Sequence, residues 1–258
     1  MKRVLTAAAL IPPVIATIFL APYWVFFAVV ALVAVLCYAE YDSIAASYNF
    51  GAPGPLGYVA GLALLWVPGG AWLIIVAAAL IAFTLSLRSA DLAHALPRSA
   101  LLVTGVVYVF GTWRCALPLH QLNPHWLMYA LIVNWTGDIG AYYVGRSFGK
   151  RRLASRVSPK KSWEGAGAAV ATSVLIAGAY LVYFVPDVGF LEAIGLTVVA
   201  NIAGQLGDLC ESAMKRGAGI KDSGRLLPGH GGFLDRVDST LFSLPVIYAF
   251  TLLRTQSL

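Results

Sequence analysis

Apolar segments that approach the length of a membrane-spanning helix recur along the whole chain, with short polar segments between them. An α-helix needs about 20 apolar residues to cross the hydrocarbon core of a bilayer. The pattern predicts nine spans, at residues 4–20, 24–39, 56–68, 71–87, 101–117, 126–145, 165–185, 190–211 and 239–253. We therefore expect an all-α fold, a polytopic membrane helix bundle with about nine transmembrane helices.

The third and fourth predicted spans are separated by Pro68-Gly69-Gly70. Proline and glycine form tight turns, and they also interrupt long helices. The segment is therefore either a turn between two spans or a break within one long helix, and the sequence leaves both alternatives open.

The composition is that of an integral membrane protein. Of the 258 residues, 59% are hydrophobic and 12% are charged, whereas soluble domains contain about 25% charged residues. The net charge of +6 suits anionic lipid headgroups of a bilayer. A nucleic-acid partner is not expected, because no basic patch is interleaved with aromatic side chains. The three widely spaced cysteines predict neither a disulfide framework nor a zinc site.

The basic residues predict how the chain is oriented. With nine spans, every lysine and arginine except Arg114 and Arg254 falls on one face of the membrane. Positive charge accumulates in cytoplasmic loops. We therefore expect a multi-pass protein of the cell (inner) membrane with its large basic loops in the cytoplasm, built as one integral membrane domain over residues 1–258.

A dense cluster of charges precedes the last predicted span. Asp208, Glu211 and Lys215 have the spacing of one helix face, and Asp235 and Asp238 repeat the spacing of three. A charge costs about 2.5–3.5 kcal/mol at the centre of a bilayer, so such a cluster indicates function. Four carboxylates in one small volume would repel each other unless cations lay between them. Mg²⁺ prefers such oxygen ligands, so we predict Mg²⁺, with a second cation left open.

Two alternatives accompany this interpretation. The acidic residues could instead form interfacial salt bridges with Arg216 and Arg236, although the density of the cluster favours a metal. The glycine-rich segment Pro228-Gly229-His230-Gly231-Gly232 could form a phosphate cradle or only a tight turn. His230 could be a general acid, a hydrogen-bond donor to phosphate or a residue that stabilises the loop.

A second cluster lies between the sixth and seventh predicted spans. Asp138, Tyr142 and Arg146 follow each other at intervals of four on the sixth span, and Lys160 and Lys161 occur further along the loop. Lysine and arginine beside hydroxyl groups suit a polyphosphate ligand. The positive-inside rule alone would also place basic residues here, so only some of them are expected to contact substrate.

With these residues in view, the chain resembles the phosphatidate cytidylyltransferase family, the CDP-diacylglycerol synthases. The family signature combines a Ser, a Lys-Arg pair, a Lys-Asp pair, a His-Gly-Gly turn and Asp-Arg-x-Asp. It is matched by Ser212, Lys215, Arg216, Lys221, Asp222, Ser223, Gly224, Pro228, His230, Gly231, Gly232, Asp235, Arg236 and Asp238. The upstream loop that contains Asp138, Arg146 and residues 158–165 is also similar to the family. The resemblance covers the C-terminal half, whereas residues 1–120 contribute hydropathy only.

The resemblance implies that CTP and phosphatidic acid are converted to CDP-diacylglycerol and pyrophosphate by residues 121–258, while residues 1–120 supply spans of structural or lipid-facing role. The implied metal ligands are Asp208 and Asp235, followed by Asp238 and Glu211. The implied catalytic residues are Lys215, Arg216, Lys221, Asp222, His230 and Arg236. The implied substrate-binding residues are Ser212, Lys160, Lys161, Arg146, Gly231 and Gly232.

Two other classes of protein remain as alternatives at this point. A transporter of anionic lipid or nucleotide would also place charge beside spans, although it would not need the dense turn. A CDP-alcohol phosphotransferase also uses membrane carboxylates, but its Asp-Gly…Ala-Arg…Gly…Asp…Asp pattern does not occur in this sequence. A homodimer is one assembly that the sequence leaves open.

Overall fold

The computed structural model describes residues 2–88, 91–224, 226 and 231–256, with the backbone alone at 2–10 and 256. The predicted residues His230, Pro228 and Gly229 lie outside the described residues, as does Arg225. Helices α1 to α9 extend over Lys2–Phe19, Tyr23–Ala46, Pro55–Trp66, Ala71–Ser86, Leu92–Leu122, His125–Phe148, Trp163–Phe184, Phe190–Gly217 and Leu234–Gln256. The prediction of a helical fold is confirmed.

A small β-hairpin interrupts the helices. Strands β1 (Arg152–Ala154) and β2 (Ser158–Ser162) pair in antiparallel orientation. Arg152 lies opposite Ser162 and Ala154 opposite Ser158, with an irregularity between them. The sequence indicated a basic loop here, so the hairpin is an addition to the predicted architecture.

Five of the described helices, α2, α5, α7, α8 and α9, are long and apolar enough to cross a membrane. Helices α3 and α4 are apolar but shorter. Each predicted span overlaps one of the nine helices, while the number of membrane crossings is not established by length and composition. Between α3 and α4, Gly70 has a φ of +63°. This left-handed conformation makes residues 67–70 a turn between two helices rather than a break within one.

The chain folds as two compact units. The first unit comprises residues 1–13, 21–114 and 214–236, and the second comprises residues 14–20, 115–213 and 237–258. In the first unit, the buried rings of Tyr38, Tyr41 and Phe110 form an aromatic core. Glycine is required at Gly61, because a Cβ there would overlap the Phe110 ring. The close approach of α3 and α5 therefore depends on a residue without a side chain.

The core of the second unit contains hydrogen bonds between helices. The Ser173 hydroxyl donates to the Val133 carbonyl at 2.7 Å, and the Asn201 amide donates to Ser173 Oγ at 2.9 Å. At Gly140 a Cβ would lie 2.9 Å from the Ala168 carbonyl oxygen, so α6 and α7 are in close contact. Small residues and polar side chains are the usual means of helix association in lipid.

Candidate functional site

The second unit contains a cavity of about 630 Å³. Its walls come from α6, the β-hairpin, the start of α7 and α8, with Ser239 of α9. Four basic residues line it: Arg146, Arg152, Lys160 and Lys161. We call it the cationic cavity. The predicted substrate-binding residues Arg146, Lys160 and Lys161 are therefore brought together.

Small residues of α6 and α7 line this cavity. On α6, Gly137, Ala141 and Gly145 line it at intervals of four, so they share one face of the helix. Gly165 and Ala166 line it from α7. Glycine lets the helices approach closely here, since a Cβ at Gly165 would lie 3.1 Å from the Ala141 carbonyl oxygen. The small residues therefore serve helix packing at the wall of the cavity.

The basic segment that precedes α7 is held in place by local hydrogen bonds. The Glu164 carboxylate accepts the backbone N–H of Lys150 at 3.1 Å and that of Arg151 at 3.2 Å. The Ser162 hydroxyl accepts the N–H of Gly165 at 3.2 Å and thereby caps α7. These bonds fix both ends of the hairpin that carries Lys160 and Lys161.

Besides Asp138 of α6, Asp208 contributes a carboxylate to the cationic cavity. It lies on α8, and its Oδ2 is 2.5 Å from Lys161 Nζ. The Ser212 hydroxyl donates to Asp208 Oδ1 at 3.3 Å. The side chains of Lys161 and Asp208 keep 27% and 31% of their surface exposed. Both can therefore exchange partners when a ligand enters.

The other predicted metal ligands of the second unit are Glu211 on α8 and Asp238 on α9. Glu211 is fully buried on α8. Asp238 Oδ1 accepts the N–H of Ser239 at 2.7 Å. A Cβ at Gly207 would lie 2.6 Å from the Asp238 carbonyl oxygen, so α8 and α9 touch at this level.

The positions of the carboxylates decide whether this site could hold the predicted magnesium ion. Within the described part of the chain, no three His, Cys, Asp or Glu side chains form a group that could hold a metal ion. Mg²⁺ often takes one or two carboxylates and completes its shell with water and substrate phosphates. Asp208 fits that requirement, because its carboxylate lines the cavity and already holds a cationic group, the Lys161 ammonium.

The first unit contains most of the signature residues, from Lys215 to Arg236, and the Asp235 carboxylate lies at their centre. Asp235 Oδ1 forms an ion pair with Lys215, and the two side chains are 7% and 10% exposed. Asp235 Oδ2 accepts the backbone N–H of Ser223 at 2.9 Å and that of Gly232 at 2.8 Å. Asp235 thus closes the turn between α8 and α9.

A buried carboxylate of α2, Glu40, also holds this turn and was not predicted. Glu40 Oε2 accepts the Ser223 hydroxyl at 2.7 Å and the N–H of Leu234 at 2.9 Å. Glu40 Oε1 accepts the N–H of Phe233 at 2.9 Å. The available signal was an acidic residue within an apolar run, at the end of the second predicted span. We call Glu40, Lys215, Ser223 and Asp235 the carboxylate clamp.

Two glycines, Gly231 and Gly232, pack directly against this clamp. Gly231 has a φ of +78°, and a Cβ there would overlap Asp235 Oδ2. A Cβ at Gly232 would overlap Glu40 Oε2. Since the N–H of Gly232 is bonded to Asp235, the geometry favours the tight turn over a phosphate cradle at this residue.

The remaining predicted residues of the first unit lie at its surface. Lys221, Asp222 and Arg236 are exposed. Arg216 is also exposed, and its guanidinium donates to the Ile220 carbonyl at 3.3 Å. Of the acidic residues for which salt bridges were the alternative to a metal, Asp235 pairs with Lys215 and Asp208 with Lys161.

Known protein sequences match this chain. The model of the cytidylyltransferase family matches residues 1–253. A phosphatidate cytidylyltransferase of Bacillus subtilis (strain 168) is 42% identical over 130 residues, which cover 50% of this chain and 48% of that protein. One from Haemophilus influenzae (strain ATCC 51907) is 40% identical over 155 residues, with coverages of 57% and 54%. One from Staphylococcus aureus (strain COL) is 42% identical over 123 residues, with coverages of 48% and 47%. The chain spans about half the length of the curated relatives it matches.

Proposed function

The chain belongs to the cytidylyltransferase family, and we propose that it transfers CMP from CTP to phosphatidic acid. The products are CDP-diacylglycerol and pyrophosphate, as intermediates of phospholipid biosynthesis. The observation that carries the proposal is the cationic cavity, where Arg146, Lys160 and Lys161 lie together beside the carboxylate of Asp208. Relatives named phosphatidate cytidylyltransferase support the choice of substrates.

The proposed reaction is an in-line displacement at phosphorus. An oxygen of the lipid phosphate forms a bond to the α-phosphorus of CTP, and the bond from that phosphorus to the bridging oxygen of pyrophosphate breaks. The attacking phosphate is already an anion near neutral pH, so no strong general base is needed. Catalysis of this kind depends on positioning and on neutralising charge.

The residues of the cationic cavity can supply both effects. Arg146 offers a planar, bidentate donor, and its NH1 donates to the Tyr142 hydroxyl at 2.8 Å, which orients it. Lys160 and Lys161 supply mobile point charges for the triphosphate. When phosphate binds Lys161, the carboxylate of Asp208 loses its ammonium partner and becomes available to a cation.

We propose Mg²⁺ as the cofactor, held by Asp208 with the phosphates of the substrate. Such an ion neutralises developing charge and orients the leaving group. Asp238, Glu211 and Asp235 remain predicted ligands from the sequence. We leave a second cation open.

We also propose that the chain crosses the cell (inner) membrane nine times. The β-hairpin and the segment between α8 and α9 would then lie in the cytoplasm. The support is the overlap of each predicted span with a helix and the segregation of basic residues. The cytoplasm is also where CTP is available. Homodimerisation remains an open alternative to a monomer.

A purified-protein assay tests the proposed reaction. The protein is incubated with phosphatidic acid, Mg²⁺ and either CTP, dATP, GTP or UTP, and the release of pyrophosphate and the formation of nucleotide-lipid are measured. We expect turnover with CTP that stops when Mg²⁺ is chelated. Absence of CDP-lipid, together with transport of either substrate into liposomes, would replace the enzyme by a transporter.

A further inference from the structure

Two amide side chains line the cationic cavity, and hydrogen bonds fix which end of each amide is available. Gln205 Nε2 donates to the Ala166 carbonyl at 3.2 Å and to Asn201 Oδ1 at 2.7 Å. A backbone carbonyl can only accept a hydrogen bond, so the nitrogen of Gln205 must face Ala166. The amide oxygen of Gln205 is therefore the end that remains available.

Asn134 has the same arrangement on α6. Its Nδ2 donates to the Ala130 carbonyl at 2.9 Å and to Ser243 Oγ at 2.9 Å. Its Oδ1 lies against Gly204, the residue before Gln205, because a Cβ at Gly204 would overlap that oxygen. Gly204 therefore makes room for the Asn134 oxygen on α8.

Neither amide oxygen accepts a hydrogen bond from the residues that the structure describes. Both residues line the cavity, and Asn134 is only 6% exposed. A polar atom in such a confined place is stabilised by a donor from a ligand or from water. The cavity thus presents two acceptors for a ligand that carries N–H donors.

We infer that Asn134 Oδ1 and Gln205 Oε1 bind the exocyclic amino group of a cytosine base and so select CTP over UTP. This inference rests on the proposed function, since it names the part of the nucleotide that enters the cavity. An exocyclic amine carries two hydrogens, which matches two acceptors. Uracil has a carbonyl oxygen at the same ring position, and that oxygen would face two others without a proton between them.

The positions of Gln205 and Asp208 on α8 agree with the binding of a nucleotide. Gln205 precedes Asp208 by three residues, so the two side chains lie on one face of the helix, one turn apart. Phosphates beside Asp208 and Lys161 would leave the nucleoside next to Gln205. The small residues Gly137 and Ala169 of the facing helices also line the cavity.

The test compares kcat/KM for CTP and UTP with phosphatidic acid in the wild type and in variants of Gln205. Gln205→Met keeps the length of the side chain and removes the acceptor, and we expect the CTP-to-UTP ratio to fall about tenfold or more. If the Met variant does not fold, Gln205→Asn replaces it, because the shorter side chain withdraws the oxygen.

Ser173→Ala is the matched control. Ser173 belongs to the same hydrogen-bond network through Asn201 but does not line the cavity. Its loss should lower the melting temperature and leave the nucleotide ratio unchanged. An unchanged ratio in a folded Gln205→Met protein would overturn the inference while CTP turnover by the wild type upholds the proposed function.

Nucleotide binding without lipid separates the two hypotheses further. If the wild type forms no nucleotide-lipid, the proposed function fails, and calorimetric titration with CTP and UTP then decides the inference. Preference for CTP that is lost in Gln205→Met would support it, and equal binding of the two nucleotides would refute it.

Discussion

At the scale of single residues, the contact between Lys161 and Asp208 links two predictions that the sequence made separately. Lys161 was expected to contact phosphate, and Asp208 was expected to hold a metal. In the structure each provides the counter-charge of the other, at 2.5 Å. An exposed pair of this kind contributes little to stability, roughly 0–1 kcal/mol. Its partners can therefore be exchanged for phosphate and Mg²⁺ at small cost.

The carboxylate of Asp208 should matter for turnover more than for folding. We expect Asp208→Asn to reduce kcat about a hundredfold or more, because a metal that neutralises triphosphate contributes several kcal/mol and each 1.36 kcal/mol is tenfold in rate. The melting temperature should change little, since the Asp208 side chain is 31% exposed. Asp235→Asn should lower both quantities, because its pair with Lys215 is buried. Turnover and melting are measured on the same preparations.

Asp91→Asn provides the control for these variants, since Asp91 is an exposed acid that caps Ala93 at the start of α5. The same chemical change there should leave turnover unchanged. Near-normal activity of both site variants at limiting Mg²⁺ would contradict the metal assignment.

The charged residues Arg146, Lys160, Lys161 and Asp208 of the cationic cavity could be selected from the sequence, whereas the contacts of Glu40 could not. Basic and acidic side chains beside apolar spans are rare enough to indicate a site on their own. Glu40 contacts Ser223, which is 183 residues away in the chain. A single carboxylate has no spacing pattern that would reveal such a partner. Its role follows only from the packing of α2 against the turn.

At the scale of elements, hydropathy located the helices and could not describe their connections. The predicted spans overlap α1 to α9 because apolar length is a strong and local signal. The β-hairpin was missed, because β1 and β2 are short and carry charged residues that do not alternate with apolar ones. The turn at Gly70 needed a backbone angle to distinguish it from a helix break.

The turn between α8 and α9 should depend on a carboxylate from a distant helix. Glu40→Gln removes the charge and replaces one carboxylate oxygen by an amide NH2 group. That group would face N–H or hydroxyl donors, and the lost hydrogen bonds should lower the free energy of unfolding by about 1–3 kcal/mol. We expect a lower melting temperature, reduced turnover and faster tryptic cleavage after Lys221. Melting, activity and limited proteolysis are measured together.

Asp42→Asn on the same helix is the comparison for Glu40. Asp42 accepts the N–H of Gly54, in the connection to α3. This variant should leave cleavage after Lys221 unchanged. A Glu40→Gln protein with wild-type cleavage and turnover would show that the clamp does not depend on this carboxylate.

At the scale of the whole molecule, the distribution of charge is the evidence for orientation. Every basic residue except Arg114 and Arg254 falls on one face when nine helices cross the bilayer. Hydropathy alone could not establish this number, because α3 and α4 are shorter than the other apolar helices. Positive charge in loops is the argument for the proposed nine crossings, since it resists translocation.

Cysteine labelling of intact cells tests this orientation. In a background without Cys37, Cys115 and Cys210, a membrane-impermeant maleimide should modify Thr255→Cys and spare Ser155→Cys. Ser155 lies between β1 and β2 and is exposed, so lack of labelling there would report the side of the membrane rather than burial. After the cells are opened, both positions should react. Labelling of Ser155→Cys alone in intact cells would invert the topology and would place the cationic cavity away from cytoplasmic CTP. Labelling of neither position before opening would indicate an even number of crossings between residues 155 and 255, because both positions would then face the cytoplasm.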